Sequence, residues 1–231
     1  MRIAFLLITI FIIGTMNSDA QDSKPALIYI GDPMCSWCYG FAEELSAIKD
    51  STKNDLEFIT LMSGLRPDEN HMLTDELKTF LKDHWQHIED LTGQEFNYGI
   101  MEWQDWAYNT EPACRAVITV REMAPELTFP FFKKVQEGFY RDNINTNQSA
   151  SFASIAEEMG IDRVEFLKSF NSDHMKQSTQ ADFELVRSWG VTGFPTLLLR
   201  TGDGNVYKLA SGYSTAKELN ETISGIIGES Q

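Results

Sequence analysis

In the stretch DPMCSWCYGF, residues 32–41, two cysteines are separated by two residues and follow directly after the apolar run ALIYIG at 26–31. An apolar run, a short turn and then a helix-period pattern predict a strand that leads into a helix. A helix that begins near Cys35 brings its sulfur to the positive end of the helix dipole and to unpaired backbone N–H groups, which favour thiolate over thiol. Cys38 then lies one turn later on the same face, where the two sulfurs can form a disulfide. Cys35 is therefore the predicted nucleophile and Cys38 the resolving thiol.

Zinc binding and a purely structural disulfide are two other uses of a Cys-x-x-Cys pair. A four-ligand zinc site needs a second pair of ligands, but the only other cysteine is Cys114 and the four histidines are scattered. A disulfide between residues so close in sequence closes a very short loop and stabilises little. Thiol-disulfide exchange is therefore favoured, with a redox-active Cys35–Cys38 disulfide, no metal and no other cofactor. We expect the apolar side chains of Trp37 and Phe41 to shield Cys38.

The composition bounds the size and the partners of the protein. The chain has 231 residues, 42% of them hydrophobic, and a net charge of -15. This length and apolar content suit one or two globular domains with a substantial core. Phosphate backbones repel so acidic a chain, and no basic cluster offsets the repulsion, so nucleic acid is not an expected partner.

The first twenty residues have the pattern of a signal peptide rather than of a folded element. Arg2 precedes an apolar run at 3–13, and the small residues Ser18 and Ala20 occupy the two positions that a signal peptidase reads. We expect residues 1–20 to be removed by cleavage near Ala20 and the protein to be periplasmic or secreted, in an oxidising compartment. An uncleaved membrane anchor is the alternative, although the apolar run is shorter than the roughly 20 residues that span a bilayer.

The remainder of the chain predicts an α/β (α+β) fold that is interrupted by a long helical segment. Strand, helix and a second strand up to Met62 form a β-α-β unit, whose functional groups are expected at the carboxyl end of the first strand. Helical periodicity alone fills 64–173, and a helix, two strands and a last helix follow. Residues 21–63 and 174–231 are therefore predicted to form one split domain, and residues 64–173 an inserted all-helical domain.

Local signals place the individual helices. Thr74 is the predicted N-cap and Gly93 the stop of the first inserted helix. Ser214 is the predicted N-cap of the last helix. Further helices are predicted after Thr110 and at 129–140, 152–159, 162–170 and 175–189, and strands at 197–200 and 206–210 are joined by a turn at 201–205.

Four separated motifs, in order along the chain, carry a resemblance to a known family. They are DPMCSWC at 32–38, GLRP at 64–67, TEPACRA at 110–116 and GVTGFPT at 190–196. Together with the all-helical insertion they resemble the thioredoxin fold of DsbA-type thiol-disulfide oxidoreductases and, within these, the FrnE-like branch. The resemblance covers nearly the whole chain after the leader.

The resemblance implies roles for particular residues. Cys35 is the implied exposed catalytic nucleophile, Cys38 its buried partner, and Pro195 a catalytic cis-proline packed beside the disulfide. The backbone at Phe194 is then exposed for strand-like pairing with a substrate peptide. The candidate substrate-binding residues are Trp37, Gly193, Phe194 and Thr196.

Two features depart from better-known members of that family. Ser36 and Trp37 separate the cysteines, so the histidine of the strongly oxidising DsbA type is missing there, and the direction of exchange stays open between oxidase, isomerase and reductase. Only about five residues separate the expected cleavage site from the first strand. This leaves no room for the amino-terminal dimerisation domain of the dimeric bacterial isomerases, and we expect a monomer.

Thiol-disulfide exchange on exported proteins is the leading functional hypothesis. Its partners are substrate proteins that carry thiols or disulfides, and a redox partner protein or small thiol. The alternative is a glutathione-dependent small-molecule isomerase or transferase of the kappa or 2-hydroxychromene-2-carboxylate isomerase type, which shares the fold but typically carries a serine and no dithiol. A non-catalytic peptide-binding module, for which the dithiol is dispensable, is the third hypothesis.

Cys114 is a candidate accessory thiol. It falls in the first turn of the helix that follows Thr110, where a thiolate is favoured. In one interpretation it faces the Cys35–Cys38 pair and accepts a mixed disulfide, and in the other it is a small buried residue, the commonest fate of a free cysteine. We expect Cys114 to be mostly buried and not bridged to Cys35.

Overall fold

The computed structural model describes residues 24–104 and 106–229, which are organised around one four-stranded sheet. Its strands are β1 (Ala26–Gly31), β2 (Glu57–Met62), β3 (Thr196–Arg200) and β4 (Val206–Ser211). Their order in the sheet is β2-β1-β3-β4, with β1 parallel to β2 and antiparallel to β3, and β3 antiparallel to β4. The signal peptide expected at residues 1–20 lies outside the described residues.

The segment after β1 forms two helices, where the sequence pattern predicts one. They are α1 (Ser36–Gly40) and α2 (Ala42–Thr52). The interruption follows Gly40, a poor helix former. A side chain at Gly40 would also collide with Ile88, because a Cβ built there lies 2.6 Å from the Ile88 methyl group. The glycine therefore lets the helix that carries Ile88 approach the end of α1.

The regular elements in the described part of the chain between β2 and β3 are helices, apart from a single bridge between Met72 and Ala107. They are α3 (Asp75–Thr92), α4 (Glu111–Met123), α5 (Thr128–Tyr140), α6 (Ser149–Glu158), α7 (Arg163–Phe170) and α8 (Asp173–Ser188), with short 3-10 helices at Tyr98–Glu102 and Pro125–Leu127. Thr74 accepts a hydrogen bond from Leu77 N at the start of α3, and Gly93 ends that helix in the left-handed conformation, as predicted.

The last helix, α9 (Ala216–Glu229), begins one residue later than predicted. Its cap is Thr215 rather than Ser214. The Glu218 backbone N–H donates to Thr215 Oγ1, and the Thr215 N–H donates in return to Glu218 Oε2. This reciprocal pair is a capping box, in which the spacing of Thr and Glu, and not the first available serine, selects the cap.

The two faces of the sheet are covered unequally. One face shares a continuous cluster of buried side chains with α1, α2 and α9, with α3 to α7, and with Met175 and Phe183 of α8. The other has a small cluster in which Val186 of α8 packs on Ile28, Leu61 and Leu198. The larger cluster runs across the predicted boundary at residue 64, so the division into two domains stays a prediction. No helix among residues 24–104 and 106–229 combines the length and apolar character needed to cross a membrane.

An ion pair fixes the inner end of β2. Arg121 of α4 makes two hydrogen bonds with the Asp182 carboxylate of α8, at 2.8 and 2.9 Å. Asp182 also accepts the Met62 N–H at 2.9 Å. These contacts join β2, α4 and α8 at the carboxyl end of β2.

Candidate active site

Cys35 caps the start of α1 at the carboxyl end of β1, where the sequence predicts it. Its backbone is extended, with φ -87° and ψ 118°. Its N–H donates to Asp32 O and its carbonyl accepts the Tyr39 N–H, both at 3.0 Å. The turn from strand to helix is therefore closed on both sides of Cys35.

Cys35 was expected to be exposed, but its side chain is almost completely buried. Its exposed fraction is 5%, against 0% for Cys38, so the order of burial agrees with the prediction while the access is narrow. The reason is the loop before β3, whose Phe194 carbonyl lies 3.8 Å from Cys35 Sγ and accepts the thiol hydrogen. A loop distant in sequence thus covers a sulfur that local sequence places at a surface turn.

Cys35 and Cys38 are both free thiols in this structure. Burial raises the pKa of Cys38 well above its ordinary value, and the neighbouring Cys35 raises it further. The Tyr29 hydroxyl, buried on β1, acts in the opposite direction on the Cys38 pKa. Cys38 is therefore a protonated, sequestered thiol in the reduced protein, which suits a resolving rather than an attacking group.

The Phe194–Pro195 peptide bond is cis, as the resemblance implies. Thr196 Oγ1 donates to Gly193 O at 2.8 Å, and the Gly212 N–H donates to Pro195 O at 2.8 Å. Thr196 is 2% exposed, so its hydroxyl shapes this loop from within. Gly193 and Phe194 are half-buried. Their binding of substrate stays a prediction.

Trp37 is half-buried between two histidines of α3. Its ring meets His84 and His87 edge to face, with ring centroids 5.7 and 5.8 Å apart. Burial, and next the proximity of His87, lowers the pKa of His84. Sequence reasoning treated these histidines as scattered, although their spacing of three on a helix was a signal that they share a face.

Asp32 is a fully buried carboxylate that sequence reasoning missed. Oδ1 accepts the Met34 N–H at 2.8 Å and Oδ2 accepts the Leu65 N–H at 2.7 Å. Burial raises its pKa, and the hydrogen bonds it accepts oppose that rise. Its place in an Asp-Pro pair, where a side chain commonly bonds the backbone two residues on, was the available signal.

Cys114 is 0% exposed and is not bridged to another cysteine, as predicted. Its thiol donates to Asp32 Oδ2 at 3.4 Å. The expectation that its helix position favours a thiolate is wrong, because burial, followed by the nearby Asp32 carboxylate, raises the pKa of Cys114 well above its ordinary value. Its part in exchange stays a prediction.

Two further contacts hold the loop that carries the cysteines. The Tyr108 hydroxyl donates to Met34 O at 2.5 Å. Thr110 Oγ1 accepts the Arg66 N–H at 3.0 Å, which ties the segment after β2 to the start of α4. Three of the four sequence motifs, those containing Cys35, Arg66 and Thr110, therefore meet around Asp32. Among the described residues, no group of three or more His, Cys, Asp or Glu side chains is arranged to hold a metal ion.

Comparison with known proteins places this arrangement in a family. The DSBA-like thioredoxin domain matches residues 28–224. The structure of a candidate protein disulfide isomerase from Nitrosomonas europaea is 34% identical, with a TM-score of 0.83 over 90% of this chain and 99% of that chain. A search of curated protein sequences gave no match.

More distant structures share the fold. The cytosolic disulfide reductase DsbM from Pseudomonas aeruginosa is 21% identical, with a TM-score of 0.73 over 87% of this chain and 98% of that chain. DsbA from the same organism is 14% identical, with a TM-score of 0.57 over 94% of this chain and 88% of that chain. Because the family match covers most of the sequence, including the strand and helix that carry Cys35 and Cys38, the chain belongs to the DSBA-like thioredoxin domain family and is a disulfide oxidoreductase.

Proposed function

We propose that this protein catalyses thiol-disulfide exchange on exported proteins through Cys35 and Cys38. The observation that carries the proposal is the placement of Cys35 Sγ 3.8 Å from the carbonyl of Phe194, on the cis-proline loop, with Cys38 one helical turn deeper. A polypeptide that pairs with the backbone of this loop would bring its own sulfur to Cys35.

The exchange has two steps, in which bonds and protons balance. When the enzyme is oxidised, a substrate thiolate attacks Cys35 Sγ, the Cys35–Cys38 bond breaks, and Cys38 leaves with the electron pair and takes up a proton. A second substrate thiolate then attacks the substrate sulfur of the mixed disulfide, releasing Cys35 and an oxidised substrate. In the reverse direction, Cys35 thiolate attacks a substrate disulfide, and Cys38, after losing its proton, displaces the reduced substrate.

The raised pKa of Cys38 supports this division of roles. A buried sulfur that holds its proton does not compete with Cys35 for the first attack, since only the thiolate is nucleophilic. When Cys35 is bound to substrate in a mixed disulfide, Cys38 is the thiol closest in the chain to that bond. The direction of net reaction depends on the reduction potential of the pair and of its partner.

Export and the FrnE-like branch are parts of the proposal that rest on sequence. The leader pattern at residues 1–20 and the four ordered motifs support them. The partners that follow are exported proteins with thiols or disulfides, and a redox protein or small thiol that returns Cys35 and Cys38 to their starting state. The alternative is a cytosolic location. The Pseudomonas reductase DsbM is described as cytosolic.

The test is turnover of a dithiol-disulfide peptide by the purified protein, with glutathione added or omitted, together with two variants. We expect Cys35→Ser to abolish exchange and Cys38→Ser to accumulate mixed disulfides with substrate, because the first intermediate loses its internal exit. Activity that requires glutathione and a small electrophile, and persists in Cys38→Ser, would instead identify the glutathione-dependent isomerase or transferase. Peptide binding that is unchanged in both variants, without turnover, would identify a binding module.

A further inference from the structure

Helix α3 carries a second row of large side chains beside its buried face. The row consists of Phe80, His84, His87 and Leu91, whose spacing of four, three and four residues places them in one line along the helix. Phe80 is 58% exposed and Leu91 53% exposed. The rings of Phe80 and His84 stack at a centroid distance of 5.3 Å. We call these four residues the α3 stripe.

The α3 stripe lies against the active site at its centre. His84 and His87 both contact Trp37, which stands between Cys35 and Cys38 in the chain. The stripe therefore extends from its contact with Trp37 in both directions along α3, with an exposed apolar side chain at each end, Phe80 and Leu91.

We propose that the α3 stripe binds an extended, apolar segment of the substrate polypeptide that flanks the reacting cysteine. This inference rests on the proposed function and adds to it the class of segment that is recognised. The eleven-residue interval from Phe80 to Leu91 spans about 16 Å along a helix. An extended polypeptide covers that distance with about five residues, whereas a small thiol such as glutathione contacts only part of it.

The charge around the α3 stripe restricts which substrate segments can bind there. Asp83 and Asp90 are exposed on α3 beside the stripe, and the whole chain has a net charge of -15. A carboxylate in the substrate segment would meet repulsion here, while neutral or basic side chains would not. The favoured segment is therefore apolar or aromatic next to its cysteine and free of acidic residues.

A second copy of this chain is the other occupant to consider. Four side chains offer far less than the roughly 800 Å² that each partner buries in a standard protein interface. A transient contact with an unfolded segment fits a surface of this size better than a stable dimer does.

The experiment compares two reduced peptides of equal length and charge, each with one central cysteine. One carries Phe and Leu on both sides of the cysteine, and the other carries Ser at those positions. Second-order rate constants for reduction of the oxidised protein are measured at pH 7.5, with glutathione as a small-thiol reference for each protein variant. Phe80→Ser, Leu91→Ser and the double variant test the stripe. Val164→Ser is the matched control, since Val164 is 70% exposed on α7.

For the wild type and for Val164→Ser, we expect the apolar peptide to react about tenfold faster than the serine peptide, which is the order expected from partial burial of two apolar side chains. In the double variant this ratio should fall to below about threefold. A ratio that stays near its wild-type value in the double variant would overturn the inference.

Two other results distinguish a failure of this inference from a failure of the proposed function and from a dimer contact at the stripe. If the wild type reacts with neither peptide nor with glutathione, the proposed function itself fails, and the inference with it. If the wild type sediments as a dimer that the double variant dissociates, and the peptide ratio does not change, the stripe is a contact between copies of this chain and the inference is wrong.

Discussion

The Cys114 thiol donates a hydrogen bond to the Asp32 carboxylate, with 3.4 Å between Sγ and Oδ2, and both side chains are completely buried. The two residues are 82 positions apart in the chain. Asp32 also accepts the N–H groups of Met34 and Leu65. A single carboxylate therefore joins the turn that leads to Cys35, the segment that follows β2 and the first turns of α4.

Replacement of Asp32 by alanine should destabilise the protein by roughly 2–4 kcal/mol, because the N–H groups of Met34 and Leu65 lose their partner. The loss should depend on pH. The folded-state pKa of Asp32 is raised, so the folded protein holds this proton to a higher pH than the unfolded chain does, and the stabilising contribution of Asp32 declines as pH rises through that window. Urea unfolding of both proteins between pH 4 and 8 measures the difference.

The control for that experiment is Asp68→Ala, since Asp68 is exposed. It should change the free energy of unfolding by less than about 0.5 kcal/mol. A difference between wild type and Asp32→Ala that grows as pH rises would show that folding lowers the pKa of Asp32, contrary to the raised pKa.

Replacement of Cys114 by alanine should affect stability more than catalysis. The buried thiol donates to Asp32, which keeps its two backbone donors when the thiol is removed. We therefore expect a loss of about 1 kcal/mol and an exchange rate within about twofold of wild type. Thermal melting and peptide turnover measure the two quantities. A large fall in rate at unchanged melting temperature would show that Cys114 takes part in exchange.

The reduction potential of the Cys35–Cys38 pair should lie closer to that of thioredoxin, about -270 mV, than to that of DsbA, about -120 mV. A strongly oxidising pair needs a stabilised reduced form. Here no histidine separates the cysteines, and burial holds Cys38 as a thiol. Equilibration with glutathione redox buffers, read by alkylation of free thiols, gives the potential. A value near that of DsbA would mean that another group stabilises the reduced pair.

Replacement of Asp182 by alanine should destabilise the protein by about 3 kcal/mol, the order expected when one partner of a largely buried ion pair is removed. Arg121 then keeps its bond to Thr60 O but loses both carboxylate contacts, and the Met62 N–H loses its acceptor. Denaturant unfolding is the measurement. Asp173→Ala is the matched control on the same helix, because its bond to Lys176 is exposed and should contribute under about 1 kcal/mol.

The preference for apolar peptides should weaken as pH falls. Burial and His87 hold the pKa of His84 below its ordinary value, so His84 is neutral at pH 7.5 and gains charge only at a lower pH than an ordinary histidine does. The element that α3 faces here, α1, presents Trp37 and no Asp, Glu, Lys or Arg side chain. A charge placed between Phe80 and Trp37 makes the α3 stripe more polar and should lower the apolar-to-serine rate ratio.

Measuring that ratio from pH 7.5 to 5 removes the pH dependence of the thiols themselves, which both peptides share. We expect the ratio to change less with pH in His84→Gln than in the wild type. His174→Gln is the control, since His174 lies on α8 and pairs with Glu122. Equal pH profiles for wild type and His84→Gln would exclude His84 as the titrating group. The stability of the protein should also decrease as pH falls. Because the folded-state pKa of His84 is depressed, the contribution of neutral His84 to stability is lost as pH falls through that pKa.

Features that depend on neighbours along the chain could be predicted from the amino-acid sequence. The period of apolar residues placed the strands and most helices, and Thr74 and Gly93 marked the ends of α3, because capping and helical packing act within about four residues. The same locality placed Cys35 at the start of a helix and Cys38 one turn inward. The wrong choice of Ser214 as the N-cap of α9 was also a local matter, since the three-residue spacing of Thr215 and Glu218 predicts the capping box that forms.

The enclosure of the site, in contrast, depends on contacts between residues that are distant in the chain and meet only in the folded protein. Phe194, which lies 159 positions from Cys35, covers that sulfur, Asp32 meets Cys114, and His84 and His87 flank Trp37. No local pattern encodes these pairs, because they form when α3, α4 and the loop before β3 pack around the end of β1. Burial then overrides the helix-start argument for Cys114. A helix start stabilises a thiolate by about 1 kcal/mol, whereas the removal of a charge from water costs several times as much.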